Sequence, residues 1–464
     1  MSLKHLSTAA LALFLGLVVI PSQASAISQN EKQAAIEKIT QLMTEHYVFP
    51  EVATQTNDKL YKAFQAGHFA SAQDHTSFSK ALTEWLRATA KDRHLRVRAN
   101  PVGEEVSGIE SSIRDNLLKP TRHKFLNYGV LSARVLENNI GYIDLRAFYR
   151  LADSKPYIDA AMKLMAKTDA VIIDLRKNGG GSPRTVQYIC SYFFDEKLLL
   201  NSLYFRDGDE TTDFYVLDEV GGKKMPDVPL YVLTSSKTYS GAEEFSYNML
   251  TRKRATLVGE TTGGAANPGG MFTINDELRM FIATGTAINP VTQTNWETSG
   301  VKPDVAIGAN EALDKAVEMA NKVVETNWLT EKARREVEID RLFALLQKVR
   351  LSDKPLSDIK SIYATKVSEL VKQLPEPDRV IAEMAYEYWD KEPKYAVFLF
   401  DVAVQLNNQN MYFFAYWARA LAELNEMQQA TSVIKRGLKL ASDKEDKDML
   451  QDTLAELEQS TVGL

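Results

Sequence analysis

The apolar positions of this chain change their period twice. Between residues 29 and 90, Ala34, Ile36, Ile39, Leu42 and Met43 recur at helical spacing among charged neighbours. That pattern predicts a helix, which Tyr47-Val48-Phe49-Pro50 should end, and a further helix through Phe78, Leu82 and Leu86. Near Leu95 the pattern becomes beta-branched and aromatic. Ile140 to Leu145, Ala170 to Leu175, Leu230 to Thr234 and Ala255 to Val258 read as strands, with a helical run from Tyr157 to Ala166 after the first. Met271 to Ile274 and Leu278 to Thr284 read as a hairpin turning at Asn275-Asp276. Strands alternating with helices predict an α/β layer fold.

From Glu311 onward the period is helical again, starting with Leu313, Ala316, Val317, Ala320 and Val324, and no strand is predicted. Ala396, Phe400 and Ala403 recur as Ala430, Ile434 and Gly437, a shift of 34 residues that matches the tetratricopeptide period. Tetratricopeptide-like pairs and a plain helical bundle both remain open for this part. The expected division is a leader over 1–26, a helical N-terminal domain over 27–94, an α/β core over 95–308 and a helical C-terminal region over 309–464.

The leader changes the expected compartment. Lys4 and His5 precede an apolar run from Ala9 to Ile20, Pro21 breaks it, and Ala24-Ser25-Ala26 has the form of a signal-peptide cleavage site. The run is too short for a membrane span, which needs about 20 residues. An exported, soluble, periplasmic protein is expected. Cys190 is the only cysteine, so no internal disulfide can form. It sits among Val186, Ile189 and Phe193 and reads as a buried bystander. The formal net charge of −6 in 464 residues gives no electrostatic case for nucleic acid. Neither H-E-x-x-H nor C-x-x-C occurs, so no metal or other cofactor is expected.

Three stretches carry candidate chemistry. In "TSSKTYSGAEEF" a strand runs into a Ser-Gly-Ala turn and a helix, so Ser240 is either a nucleophile or a helix cap. In "VIIDLRKNGGGSP" a buried strand meets three glycines, whose free N–H groups could hold an oxyanion or simply form a tight turn. His94 of "KDRHLRV" stands where helical sequence meets strand-like sequence, as a proton acceptor or as a surface histidine among arginines. Glu297, in "TNWETSGVKPDV", could orient an imidazole or be a solvated loop charge.

Taken together and in this order, these motifs, with "VGETTGGAANPGG" and "NYGVLSARVLENNIGYIDLRAFYR", resemble the C-terminal-processing (tail-specific) serine peptidases. The resemblance runs over roughly residues 30 to 308 and is strongest to the tricorn-core and interphotoreceptor retinoid-binding-protein branch. It implies a crotonase/ClpP-like α/β core, with Ser240 as nucleophile, His94 as base and Glu297 as the distant carboxylate. Gly241 and one of Gly179 to Gly181, with Gly180 preferred, are the implied oxyanion donors. The lysine of a Ser-Lys dyad is absent, because its place reads Gly263-Gly264-Ala265-Ala266-Asn267, and Lys237 reads as a loop lysine. Arg93 stands where the branch has a helper serine. The interval from Leu95 to Gly141 leaves no room for the PDZ domain of many tail-specific enzymes.

The implied activity is peptide-bond hydrolysis on a peptide or unfolded-protein substrate. The other open readings are a carrier of an apolar ligand, as in the retinoid-binding relatives, and a scaffold that holds a partner protein on the C-terminal helices.

Overall fold

The computed structural model describes residues 26–100 and 122–462. The leader expected over 1–26 lies outside these residues except for Ala26, as does the 101–121 part of the interval judged too short for a PDZ domain. The described chain forms two compact units, divided between Val324 and Glu325. Among the described residues no helix is long and apolar enough to cross a membrane.

The first unit is mixed α/β. Three helices open it: α1 (Gln29–His46), α2 (Pro50–Gln65) and α3 (His75–Ala90). α1 and α3 start at side-chain caps, Ser28 with Glu31 and Asp74 with Ser77, which satisfy N–H groups that a helix start leaves unpaired. These helices do not close their own core. Ile36, Ile39, Leu60, Phe78 and Leu82 pack with Val97 of β1 (Arg96–Ala99) and with Leu278, Met280 and Ile282 of a hairpin formed by β9 (Gly269–Thr273) and β10 (Leu278–Ala283). The hairpin predicted at Asn275-Asp276 is present, and β1 adds to its edge as an antiparallel third strand.

The centre of the unit is a six-stranded sheet in the order β12-β8-β7-β4-β3-β2. Its strands are β2 (Val130–Leu136), β3 (Ile140–Leu145), β4 (Ala170–Asp174), β7 (Leu230–Thr234), β8 (Thr256–Gly259) and β12 (Val305–Ala306). β2 runs antiparallel to β3, and the other pairings are parallel. Parallel strands bury both faces, which is why β4 and β7 read as unbroken apolar runs. On one face Ile143, Val171, Ile173, Val232 and Leu257 pack under α4 (Leu151–Met165), α5 (Pro183–Cys190) and α6 (Gly241–Thr251). The free, buried thiol of Cys190 belongs to that layer. On the other face Tyr142, Ile172, Tyr231 and Val258 meet Ala312, Ala316 and Ala320, in the first turns of α7 (Ala312–Arg350). A second three-stranded sheet, β11 (Gly285–Ile288) with β5 (Leu199–Phe205) and β6 (Glu210–Tyr215), flanks this core.

The second unit is all-helical: the end of α7, α8 (Leu356–Val371), α9 (Pro377–Tyr388), α10 (Pro393–Leu406), α11 (Met411–Glu423), α12 (Met427–Leu440) and α13 (Lys444–Val462). The starts of α9 and α11 (Pro377, Met411) and those of α10 and α12 (Pro393, Met427) are each 34 residues apart. Helix pairs therefore repeat at the tetratricopeptide period. Gly437 is small for a packing reason, since a Cβ there would sit 3.1 Å from Phe414 and Leu450.

Ile172 is fully buried between the sheet and the first turns of α7. Its replacement by alanine is expected to destabilise the first unit by about 2–5 kcal/mol, read as a lower urea midpoint for the transition that removes the sheet signal.

Candidate active site

Two neighbouring parallel strands end side by side and set the geometry. β4 runs through Leu175 into Asn178 and the three glycines, and β7 runs into Ser235 to Ser240 and then α6. Side chains and main chain sew the two loops together. Thr238 Oγ1 donates to Leu175 O at 2.8 Å, Ser235 Oγ to Arg176 O at 2.6 Å, and Tyr239 N–H to Asn178 O at 3.1 Å. Asn178 has no exposed surface, and its Nδ2 donates to Leu145 O at 2.9 Å, which ties in β3 as well.

The glycines allow this close approach. A Cβ on Gly180, where φ is +93°, would lie 2.6 Å from Gly241 N and 2.8 Å from Ser240 Cβ. One on Gly181 would lie 2.0 Å from Phe148 O. The Gly180 N–H donates to Asn178 Oδ1 at 2.8 Å, so the group preferred from the sequence as second oxyanion donor already has a partner. The Gly241 N–H opens α6 and is one of the donors that a helix start leaves without an intrahelical acceptor.

Ser240 has φ 53° and ψ −122°. A residue with a Cβ held there carries backbone strain of about 1–3 kcal/mol, which persists only where the surroundings enforce it. The enforcing group is Glu243. Ser240 and Glu243 occupy the two positions of a capping box. Glu243 closes its side: Oε2 accepts the Ser240 N–H at 2.9 Å. The Glu243 N–H goes instead to the Ser240 carbonyl at 2.8 Å, and the serine side chain makes no capping hydrogen bond. The same buried carboxylate accepts Thr262 Oγ1, Gly264 N–H at 2.6 Å and Ala265 N–H at 2.9 Å. Burial pushes the Glu243 carboxyl up, and these donors pull it back.

His94 arrives from the N-terminal helices. Lys91, with φ 54°, ends α3 in the left-handed conformation and turns the chain into β1. The imidazole stacks on Phe281 with ring centroids 5.7 Å apart and meets Tyr239, the neighbour of Ser240, edge-on at 5.4 Å. Tyr239 OH donates to Arg93 O at 2.9 Å, fastening the two segments.

Glu297 reaches the same place from a loop stapled by Trp296, whose Nε1 donates to Ala265 O at 2.9 Å. Its carboxylate accepts the Arg93 N–H at 2.8 Å and the Ala266 N–H at 2.6 Å. Where the family branch has a helper serine, the main chain of Arg93 therefore makes the link. A carboxylate oxygen of Asp92, one of Glu297 and a ring nitrogen of His94 lie within 4.8 Å of one another. These residue types could ligate a cation, yet the two carboxylates already accept from main-chain, amide and phenol donors.

Burial lowers His94 to about 4, with Arg87 and Arg96 adding to the effect and Asp92 opposing it. Burial raises Glu297 to about 7, with Asp92 adding to it. At neutral pH the imidazole is thus a neutral proton acceptor. The place of the dyad lysine is filled by the buried Ala265 and Ala266, and Lys237 lies exposed on its loop.

Asn178, Tyr239, Asp92 and Glu243 were not singled out in the sequence. Glu243 had a legible signal, the S-x-x-E spacing of a capping box. Asp92 had only its place two residues before His94.

The chain is similar to known proteins over the residues that build this cluster. Residues 139–307 match the model of peptidase family S41, and residues 24–134 match the model of the N-terminal domain of that peptidase in eukaryotic IRBP. The chain is 27% identical over 217 residues to carboxyl-terminal-processing peptidase 2, chloroplastic, of Arabidopsis thaliana, covering 44% of this chain and 40% of that protein. It is 26% identical over 170 residues to a carboxyl-terminal-processing protease of Picosynechococcus sp., covering 36% and 39%. It thus spans about two fifths of the length of these relatives. A crystal structure of a putative peptidase from Parabacteroides merdae aligns over 62% of this chain and 96% of its own, with 19% identity and a TM-score of 0.46. Over residues 24–134 and 139–307 the chain is thus similar to peptidase family S41.

Proposed function

We propose that the protein is an exported serine peptidase that cleaves peptide bonds in peptide or unfolded-protein substrates. The observation that carries this reading is the strained Ser240 at a strand-to-helix corner, whose neighbour Tyr239 meets the half-buried His94 edge-on. Ser240 Oγ passes its proton to His94 and attacks the substrate carbonyl carbon. The oxyanion is held by the Gly241 N–H and, since the Gly180 N–H is engaged, by an N–H of Gly179 or Gly181. His94 returns the proton to the leaving amine. Water then gives a proton to His94 as its oxygen attacks the acyl carbon; the ester bond to Ser240 Oγ breaks, and His94 returns the proton to Oγ. Glu297 holds the Arg93–His94 main chain and supplies negative charge when the imidazole becomes cationic.

The proposed compartment is the periplasm, supported by the leader-like stretch from Lys4 to Ala26. The helices after Glu325 are proposed to hold a protein partner, supported by the half-exposed Tyr386 and Tyr412.

A fluorophosphonate probe is expected to label the mature wild-type protein and to fail on Ser240→Ala and His94→Ala. Labelling that survives in Ser240→Ala would exclude this nucleophile. Gly180→Ala is expected to lower kcat/KM by about 10²-fold or more on a validated peptide, because the added Cβ displaces Ser240 and Gly241. Circular dichroism checks that this variant still folds. The pH profile follows from the site's ionisations. As pH falls below about 7, Glu297 takes up a proton, and near 4 His94 is protonated and can no longer accept. kcat/KM should therefore fall on the acid side in two apparent steps, and Glu297→Gln should remove the upper one.

A further inference from the structure

Asp92 is 1% exposed, and each of its oxygens has a partner. Oδ1 accepts the His94 N–H at 2.8 Å. Oδ2 accepts Tyr47 OH at 3.1 Å and Asn267 Nδ2 at 3.1 Å. These donors come from the end of α1 and from the loop that precedes β9, so the carboxylate is held from two sides. It faces His94 and Glu297 within the 4.8 Å triangle. His94 Nδ1 is enclosed and makes no hydrogen bond. One ring nitrogen of an imidazole that takes up positive charge during proton transfer therefore lies within 4.8 Å of two carboxylates rather than one.

We propose that Asp92 is a second carboxylate of this site, a positioning residue that fixes the His94 main chain and, with Glu297, supplies the negative charge facing the imidazole. The proposal rests on the reading of Ser240 and His94 as nucleophile and base. Two buried carboxylates this close resist ionising together. The Asp92 charge therefore opposes ionisation of Glu297, and an imidazolium at His94 offsets that opposition. The other groups facing the cluster are Arg87 of α3, Arg96 of β1, Tyr239 of the loop before α6, Glu243 of α6 and Tyr47 after α1. Arg87 and Arg96 act against an imidazolium, which increases its need for Asp92.

Two variants of the full chain move the site in opposite directions. Asp92→Asn keeps the shape and removes the charge. Its kcat should fall about tenfold with KM unchanged, and the acid limb of kcat should move to lower pH because His94 becomes less basic. Tyr47→Phe removes a donor that offsets the charge on Oδ2, so the carboxylate faces His94 less shielded, His94 becomes more basic and the limb moves up. In parallel, NMR titration of the His94 ring in the Ser240→Ala background reads the same electrostatics without catalysis. There Asp92→Asn should lower the pH at which the ring titrates. An unshifted His94 titration in Asp92→Asn, or acid limbs that stay fixed in both variants, would overturn the proposal. Should Asp92→Asn not fold, the direction of the Tyr47→Phe limb decides alone. If the wild type hydrolyses nothing while the His94 titration still shifts, the peptidase reading fails and the electrostatic placement of Asp92 stands.

Discussion

The site depends on one buried carboxylate. Glu243 takes the Ser240 N–H with one oxygen and reaches Thr262, Gly264 and Ala265 from the same group. A buried carboxylate is costly unless its lone pairs are met, and here four donors meet them. That satisfaction holds Ser240 in a conformation it would not adopt alone. It also fixes the 262–266 loop, whose next residue, Ala266, gives its N–H to Glu297. The serine turn and the orienting glutamate are thus positioned by one continuous set of hydrogen bonds.

The sheet explains why the Ser240 turn could be placed there at all. β4 and β7 are neighbours in a parallel sheet, so their loops leave from the same edge. The crevice outside the carboxyl ends of such strands is where α/β sheets gather functional groups. Asn178 then holds the glycine loop against the serine loop with its own side chain and carbonyl.

Much of this was legible in the residues. Ile140 to Leu145 and Leu230 to Thr234 are strands with the predicted bounds, because parallel-sheet strands leave continuous apolar runs. The hairpin at Asn275-Asp276 was legible from its turn chemistry, but its packing was not. Leu278 and Met280 bury against the N-terminal helices, a long-range choice that local pattern does not carry. The structure brings His94 and Glu297, 203 positions apart in number, to one triangle with Asp92. The link through the Arg93 main chain was not legible, because a side-chain identity says nothing about a backbone N–H. The engagement of the Gly180 N–H by Asn178 was hidden for the same reason.

The site draws on segments near residues 92–94, 178–181, 239–243 and 297, and the bond between Arg93 and Glu297 spans 204 positions. No shorter stretch contains it, and the loop that carries Glu297 comes late in the first unit. Contacts this distant must meet the loop-closure entropy of the intervening chain before they add stability. A growing or half-folded copy therefore holds the separate parts of the site without its geometry. Whatever chemistry the cluster performs arises at the end of assembly, when the molecule is no longer an unfolded chain.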